Sequence, residues 1–426
     1  MAQRERVVVT GIGLVSPLAI GRDRHMQRLL AGESGVRYMQ KPEFRHFSSH
    51  LEAVVGEYDP KDRIKQRMLR KLLTPSAAFA VIAAGEAVGD SGLDEAGVNA
   101  SGIYVGSLSL DVKPNIFIPA LKESLGADGD FDIERFAKRG TKLLDPLFLV
   151  KLLPNGGICG ISIEHGIYGP NCNITNGTVS GLQAVIHAAA AIRRGEVDAA
   201  VAGGYDSLLH VESVIEYEIG GQLSKRDGDP QGACRPFDAG RDGFVLGEGA
   251  AFLMLESATH ALRRGARIYG ELLASGQNTD NAAFLKTGDQ GGDGLARAVR
   301  QALAQAQCAP AELDVIYGDG LATEAHDNRE IDAYHRLVNS HPVDFTAATG
   351  ALGFGGATTG MFSLAHALAG IERGYVAPLI NCTQPDARCD LPLVHQTRHR
   401  QHRRALVWNS DHGVKNVAIL VGAHAE

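Results

Sequence analysis

The chain has 426 residues and a formal net charge of −7 at neutral pH. That length exceeds what a single hydrophobic core usually serves, so two closely packed halves are expected. The negative balance excludes the broad basic excess of a nucleic-acid binder. Six cysteines with no CxxC pair, and no histidine cluster at ligand spacing, argue for reduced thiols and against a metal site. The chain passes from a few polar residues straight into an apolar strand, without the apolar region of a signal peptide. No uninterrupted apolar run reaches the roughly 20 residues of a membrane span. A cytoplasmic protein is the expectation.

In chain order, Arg6–Thr10 reads as a buried strand that ends in a glycine turn. An alanine-rich helix follows over about 75–90, and GIYVG at 102–106 is the next strand. Residues 146–156 begin a helical segment that Pro154 breaks. A helix over 181–195 leads closely into a strand at 198–203. After the strand at 251–255 the order begins again. Strand 267–274, helix 294–306, strand 314–317, helix 361–374 and closing strands at 404–407 and 417–421 repeat the plan, with halves of 1–258 and 259–426. Short apolar strands alternating with helices predict an α/β fold with mainly parallel sheets covered on both faces.

Gly11-Ile12-Gly13 opens like a dinucleotide fingerprint, but the third glycine and the later acidic residue are missing. A tight turn after the first strand accounts for it better, and no cofactor is implied. The basic run Arg398, Arg400, Arg403 and Arg404 reads either as a solvated loop before a strand or as a patch for an acidic partner.

The most specific motif is RPFDAGRDGFVLGEGA at 235–250. It closely resembles the RPFD and RDGFV signature of the β-ketoacyl-acyl-carrier-protein synthases. Further stretches match in order over essentially the whole chain: VVVTGIGLVSPL, GIYVGS, YGPNCNIT, VDAAVAGGYDSL, the TG and GG block near Thr349, and the VWNS and NVAILV strands. The resemblance implies a thiolase fold, in which two intimately packed βαβαβ halves form a five-layered α-β-α-β-α core. It also implies that the signature motif is mostly structural.

Condensing enzymes of that family use a cysteine at a strand-to-helix elbow, whose helix N-terminus favours the thiolate, and two histidines that stabilise the enolate left by decarboxylation. By the resemblance those places fall on Thr178, Asp319 and Ala351. A threonine hydroxyl without an adjacent base is a poor nucleophile. A carboxylate repels a developing enolate, and a methyl group does no proton chemistry. Cys172 lies six residues before the elbow, and His326 lies seven beyond Asp319. The former reads as a buried thiol and the latter as a helix-start residue. The lysine that usually precedes the TG motif is replaced by Thr346, and the gating loop after Asn-Ser reads Asp411-His412-Gly413-Val414-Lys415.

Intact structural signatures with three altered chemical positions resemble the chain-length factors of type II polyketide synthases. Those proteins lack the cysteine, carry Asp for the first histidine and tend to have a Gly-Gly-Ala run, as at 355–357. They often have glutamine where this chain has Thr178. The resemblance implies pairing with an active ketosynthase subunit as a heterodimer, exchange with an acyl carrier protein, and side chains that set product length by filling an interface tunnel. Position alone nominates Leu108, Leu110, Asn115, Ile116 and Phe117 for that lining, and a plain core or interface role stands beside it. Two other readings remain. One is an acyltransferase or malonyl decarboxylase using Thr178 with Asp319 as base; the other is a stand-alone protein that binds an acyl chain or carrier protein.

Overall fold

The computed structural model describes residues 5–41, 44–108, 117–280, 291–338, 341–411 and 414–424. The strands of its main sheet are β1 (Val7–Val15), β2 (Gly102–Gly106), β3 (Asn171–Ile174), β4 (Ala199–Ser207), β5 (Glu248–Ser257), β6 (Gly270–Thr279), β7 (Val315–Tyr317), β8 (Asp344–Thr346), β9 (Arg404–Asp411) and β10 (Lys415–Gly422). The helices that cover it include α1 (Pro75–Ser91), α2 (Gly156–His165), α3 (Ser180–Arg193), α4 (Asp293–Ala306), α5 (Glu324–Leu337) and α6 (Thr359–Arg373).

Across the sheet the order is β8-β7-β9-β10-β6-β1-β5-β4-β2-β3. Outward from β1, the pairs β1/β5 and β5/β4 are antiparallel, whereas β4/β2 and β2/β3 are parallel. Outward from β6, the pairs β6/β10 and β10/β9 are antiparallel, whereas β9/β7 and β7/β8 are parallel. The two groups therefore repeat one plan, and they join through the short antiparallel contact of Val8 and Val9 with Glu271 and Gly270. The sheet is mixed, not mainly parallel as the alternation of elements suggested. Strands linked by helical crossovers run parallel, but β9 and β10 are joined too tightly for anything except a hairpin.

The strands of the sheet's interior are buried along their whole length, and alternate side chains point to opposite faces, which sorts the core into layers. Val105, Val201 and Phe252 face α1, while Tyr104, Ala200, Ala202 and Leu253 face α3 and α6. From the second group, Tyr317, Val407 and Ile419 share that central layer, and Ile316, Leu406, Trp408 and Leu420 face α4 and α5. The sequence of layers is α1, first strand group, α3 with α6, second strand group, then α4 with α5.

Helices α1 and α4 lie close against the sheet. A Cβ on Gly11 or Gly13 would overlap the carbonyl oxygens of Ala87 and Ala83 in α1. A Cβ on Gly276 would overlap the carbonyl of Ala298 in α4. Gly11 and Gly13 thus sit inside β1, which continues to Val15, and do not form the turn expected from the sequence. They are glycines because an alanine-rich helix backbone rests on them. That helix begins with Thr74 as N-cap, accepting from the Ala77 N–H, and Pro75 in its first turn; it ends at left-handed Gly92.

Candidate functional site

The chemical positions nominated from sequence converge at the C-terminal ends of the strands, where α/β sheets place their sites. Thr178 follows β3, Asp319 follows β7, Ala351 lies in the short helix Thr349–Leu352 after β8, and the end of β9 runs between them.

The elbow is built by local hydrogen bonds. Ser180 Oγ accepts from the Asn176 N–H at 2.7 Å and donates to the Gly177 carbonyl at 2.6 Å. Gly177 has φ 75°, a left-handed conformation that lets the chain turn directly from β3 into α3. A Cβ on Gly106 would strike Ser180, so the end of β2 also needs glycine to seat the start of α3. Thr178 is 2 % exposed. Its backbone N–H and its hydroxyl both point to Asp411 Oδ1, at 3.4 and 3.5 Å. The carboxylate facing Thr178 is therefore Asp411, not Asp319 as the Thr178–Asp319 pairing considered from sequence required. Lys415, opposite Asp411 in the β9–β10 hairpin, lies 3.3 Å from Asp411 Oδ2.

Asp319 is buried on the other side of the same segment. Its carboxylate accepts from Asn409 Nδ2 at 2.6 Å and from the Ser410 N–H at 2.8 Å. Its carbonyl accepts from the Thr349 hydroxyl. Its backbone N–H and that of Gly320 donate to Glu330 Oε1 and Oε2 at 2.8 and 2.7 Å, and Trp408 Nε1 also donates to Glu330. Burial, with Glu330 close by, pushes the Asp319 carboxyl well above its ordinary range, against the Asn409 and Ser410 donors. Burial also raises Glu330, opposed by its three donors. Nearby Asp327 is pushed up to about 8 by burial, although it accepts from the Phe237 and Ala322 N–H groups and lies 3.5 Å from Arg241 Nε.

Ala351 is buried and offers its carbonyl to the Gly35 N–H at 2.8 Å. Its side chain has no polar atom to contribute. Asn409, Ser410 and Asp411 thus bridge the elbow and the Asp319 loop, a role the sequence did not disclose. The contact of Asp411 with Thr178 joins residues 233 apart. Glu330 was also missed; a glutamate eleven residues past Asp319 on a helix looks like solvated surface until the fold buries it.

The remaining nominees separate. Leu108 is half-buried against the core cluster that includes Phe354 and Leu208, and its N–H donates to Asp206 at 2.9 and 3.0 Å. Asp206 also accepts from the Ala357 N–H at 2.7 Å, tying the Gly-Gly-Ala turn to the end of β2. Phe117 packs edge-on to Phe148 at 5.7 Å. Leu110, Asn115 and Ile116 lie outside the described residues. Cys172 is half-buried on β3, and His326 sits in the first turn of α5 with Thr323 as cap. Thr346 donates to the Ala377 carbonyl at 2.8 Å. The basic run is largely neutralised, with Arg398 on Asp344, Arg400 near Asp314 and Arg404 on Glu312. The signature motif locks loops together. Asp238 accepts from the Thr383 and Gln384 N–H groups at 2.8 and 2.9 Å, and Arg241 donates to Asp386 at 2.8 Å. Among the described residues no helix is long and apolar enough to cross a membrane, and no group of three or more His, Cys, Asp or Glu side chains could hold a metal ion.

Family models described as the β-ketoacyl synthase N-terminal domain and C-terminal domain match residues 4–261 and 269–383. The chain belongs to the β-ketoacyl synthase family, and its layers are those of the thiolase fold. It is 31% identical over 397 residues to 3-oxoacyl-[acyl-carrier-protein] synthase 2 of Coxiella burnetii, and 29% identical over 401 residues to the enzyme of the same name from Staphylococcus aureus strain COL; each alignment covers 92% of both chains. The ishigamide ketosynthase/chain length factor superposes with a TM-score of 0.86 at 27% identity, over 99% of this chain and 100% of that one. A type II PKS acyl-carrier protein in complex with its ketosynthase bound to the hexaketide gives 0.84 at 26%, with the same coverage.

Proposed function

We propose that this chain is a non-condensing, chain-length-factor subunit that pairs with an active ketosynthase to elongate carrier-bound polyketide or polyene chains and set their length. The observation that carries the reading is the chemistry of the three convergent positions. One is a hydroxyl held against a carboxylate, one is a buried carboxyl, and one is a methyl group. None can act as an acyl-accepting thiolate or an enolate-stabilising imidazole, while the hydrogen bonds of the elbow and of the signature motif are in place. Likeness to a ketosynthase/chain length factor structure supports the reading.

The surface supports a partner at the β3 end of the sheet. β3 is the outermost strand on that side, and residues 117–168 beside it expose Leu147, Leu149, Val150 and Leu153, each about half accessible. Apolar exposure next to a free strand edge suits a large obligate interface. A second surface suits an acidic carrier protein. Lys61, Arg63, Lys65, Arg67 and Lys71 are exposed, with Asp62 the one acid among residues 61–71, and Met68 stands 61% exposed at their centre.

The test is co-expression with an active type II ketosynthase subunit, followed by size-exclusion chromatography and a malonyl-carrier-protein condensation assay. The expected result is a one-to-one complex that elongates, with this chain inactive alone. Condensation or decarboxylation by the isolated chain would overturn the reading. Leu149→Asp with Leu153→Asp is expected to abolish the complex and leave the fold of the chain unchanged by circular dichroism.

A further inference from the structure

We propose that Asp411 is the chain's own occupant of the elbow, an internal carboxylate seated where an acyl-accepting group would have to ionise, and that it closes this position to any thioester independently of the residue at 178. Three contacts carry the inference. Asp411 Oδ1 takes the Thr178 N–H and faces the Thr178 hydroxyl. Asp411 Oδ2 lies against the Cα of Gly177, in space that a Cβ would fill. Lys415 Nζ lies 3.3 Å from Asp411 Oδ2, an ion pair that holds the side chain in place.

The chemistry follows from where charge sits. The first turn of α3, a helix of 14 residues, stabilises one negative charge through its free N–H groups. Asp411 already takes the Thr178 N–H at that end. A thiolate or a tetrahedral oxyanion at residue 178 would have to share that N–H with a carboxylate and bear its repulsion. The charged and titratable groups around Asp411 are Lys415, which favours the closed arrangement, and Asp319 and Tyr217, whose ionisation it opposes.

The test uses the full-length chain with Thr178→Cys, alone and combined with Asp411→Asn or Lys415→Met. The rate of iodoacetamide alkylation of residue 178 is followed against pH by intact mass and peptide mapping. With Thr178→Cys alone, the thiol is expected to ionise above the ordinary cysteine range. Adding Asp411→Asn should lower the midpoint by about one pH unit, or about tenfold in rate at pH 7. Adding Lys415→Met, which leaves both elbow residues in place, should move the midpoint the other way. Coincident profiles for Thr178→Cys with and without Asp411→Asn would overturn the proposal, as would a downward shift with Lys415→Met. The result does not depend on pairing with a ketosynthase. Failure of the complex leaves it standing, and failure here leaves the pairing untouched.

Discussion

Glu330 accepts the backbone N–H of Asp319 at 2.8 Å and, through its other oxygen, that of Gly320 at 2.7 Å. A side chain on α5 thereby fixes the backbone of the loop that follows β7. Without it, two buried N–H groups and the Trp408 indole lose their acceptor. Glu330→Ala is therefore expected to destabilise the chain by about 3 kcal/mol or more, since each buried donor left unpaired costs roughly 1–3 kcal/mol. Urea denaturation of the variant against the parent checks this, and a change within experimental error would mean that water replaces the carboxylate freely.

The raised carboxyls make stability depend on pH. In the unfolded chain Asp and Glu lose their protons near about 4. In the folded chain Asp327 keeps its proton up to about 8, and Asp319 is also held well above its ordinary range. Between those limits the folded state binds more protons than the unfolded state. The contribution of these groups is thus fully present below about pH 4 and is lost as pH rises through the folded values. The melting temperature is expected to fall from pH 5.5 to 8.5, and Asp319→Asn to flatten part of that fall. A melting temperature that rises across the window would show the carboxyls to be ionised in the folded protein.

Gly13 distinguishes close packing from a nucleotide-binding turn. Gly13→Ala places a methyl group against the backbone of α1 at Ala83, and this overpacking should cost on the order of 1–3 kcal/mol. Gly195→Ala, at a left-handed position with open space around its Cβ, should lose less, mostly through backbone strain. Thermal melts of both variants rank the two effects.

The exposed basic strip should govern encounter with the carrier protein. Arg67→Glu with Lys71→Glu is expected to weaken binding of the carrier protein to the assembled pair by about tenfold at low salt, with the difference shrinking as salt is raised. Surface plasmon resonance at two ionic strengths measures both. Unchanged affinity would move the docking surface elsewhere.

Much of the fold was legible because its signals are local. GIYVG at 102–106 forms a strand with those bounds, and the helix capped by Thr74 and Pro75 begins where its capping residues say it should. Gly11 and Gly13 misled because a glycine that ends a strand and one that admits a helix look alike until the helix, some 70 residues later, is in place. The sheet's direction was hidden for a similar reason, since strand partners are set by the return of the chain and not by the strand's own residues. At the site, the identities of Thr178, Asp319 and Ala351 could be read off the motifs around them. Asp411 could not be recognised as the neighbour of Thr178, because nothing at either position refers to the other.

Asn409, Ser410 and Asp411 are consecutive residues of one strand, and the first two hold Asp319 while the third holds Thr178. Pairing with Val417, Asn416 and Lys415 stiffens this stretch, so the two sides of the centre are linked by one short piece of sheet. A condensing enzyme must admit, react and release at this place; under the chain-length-factor proposal the same strand needs only to hold its two neighbours at a fixed distance.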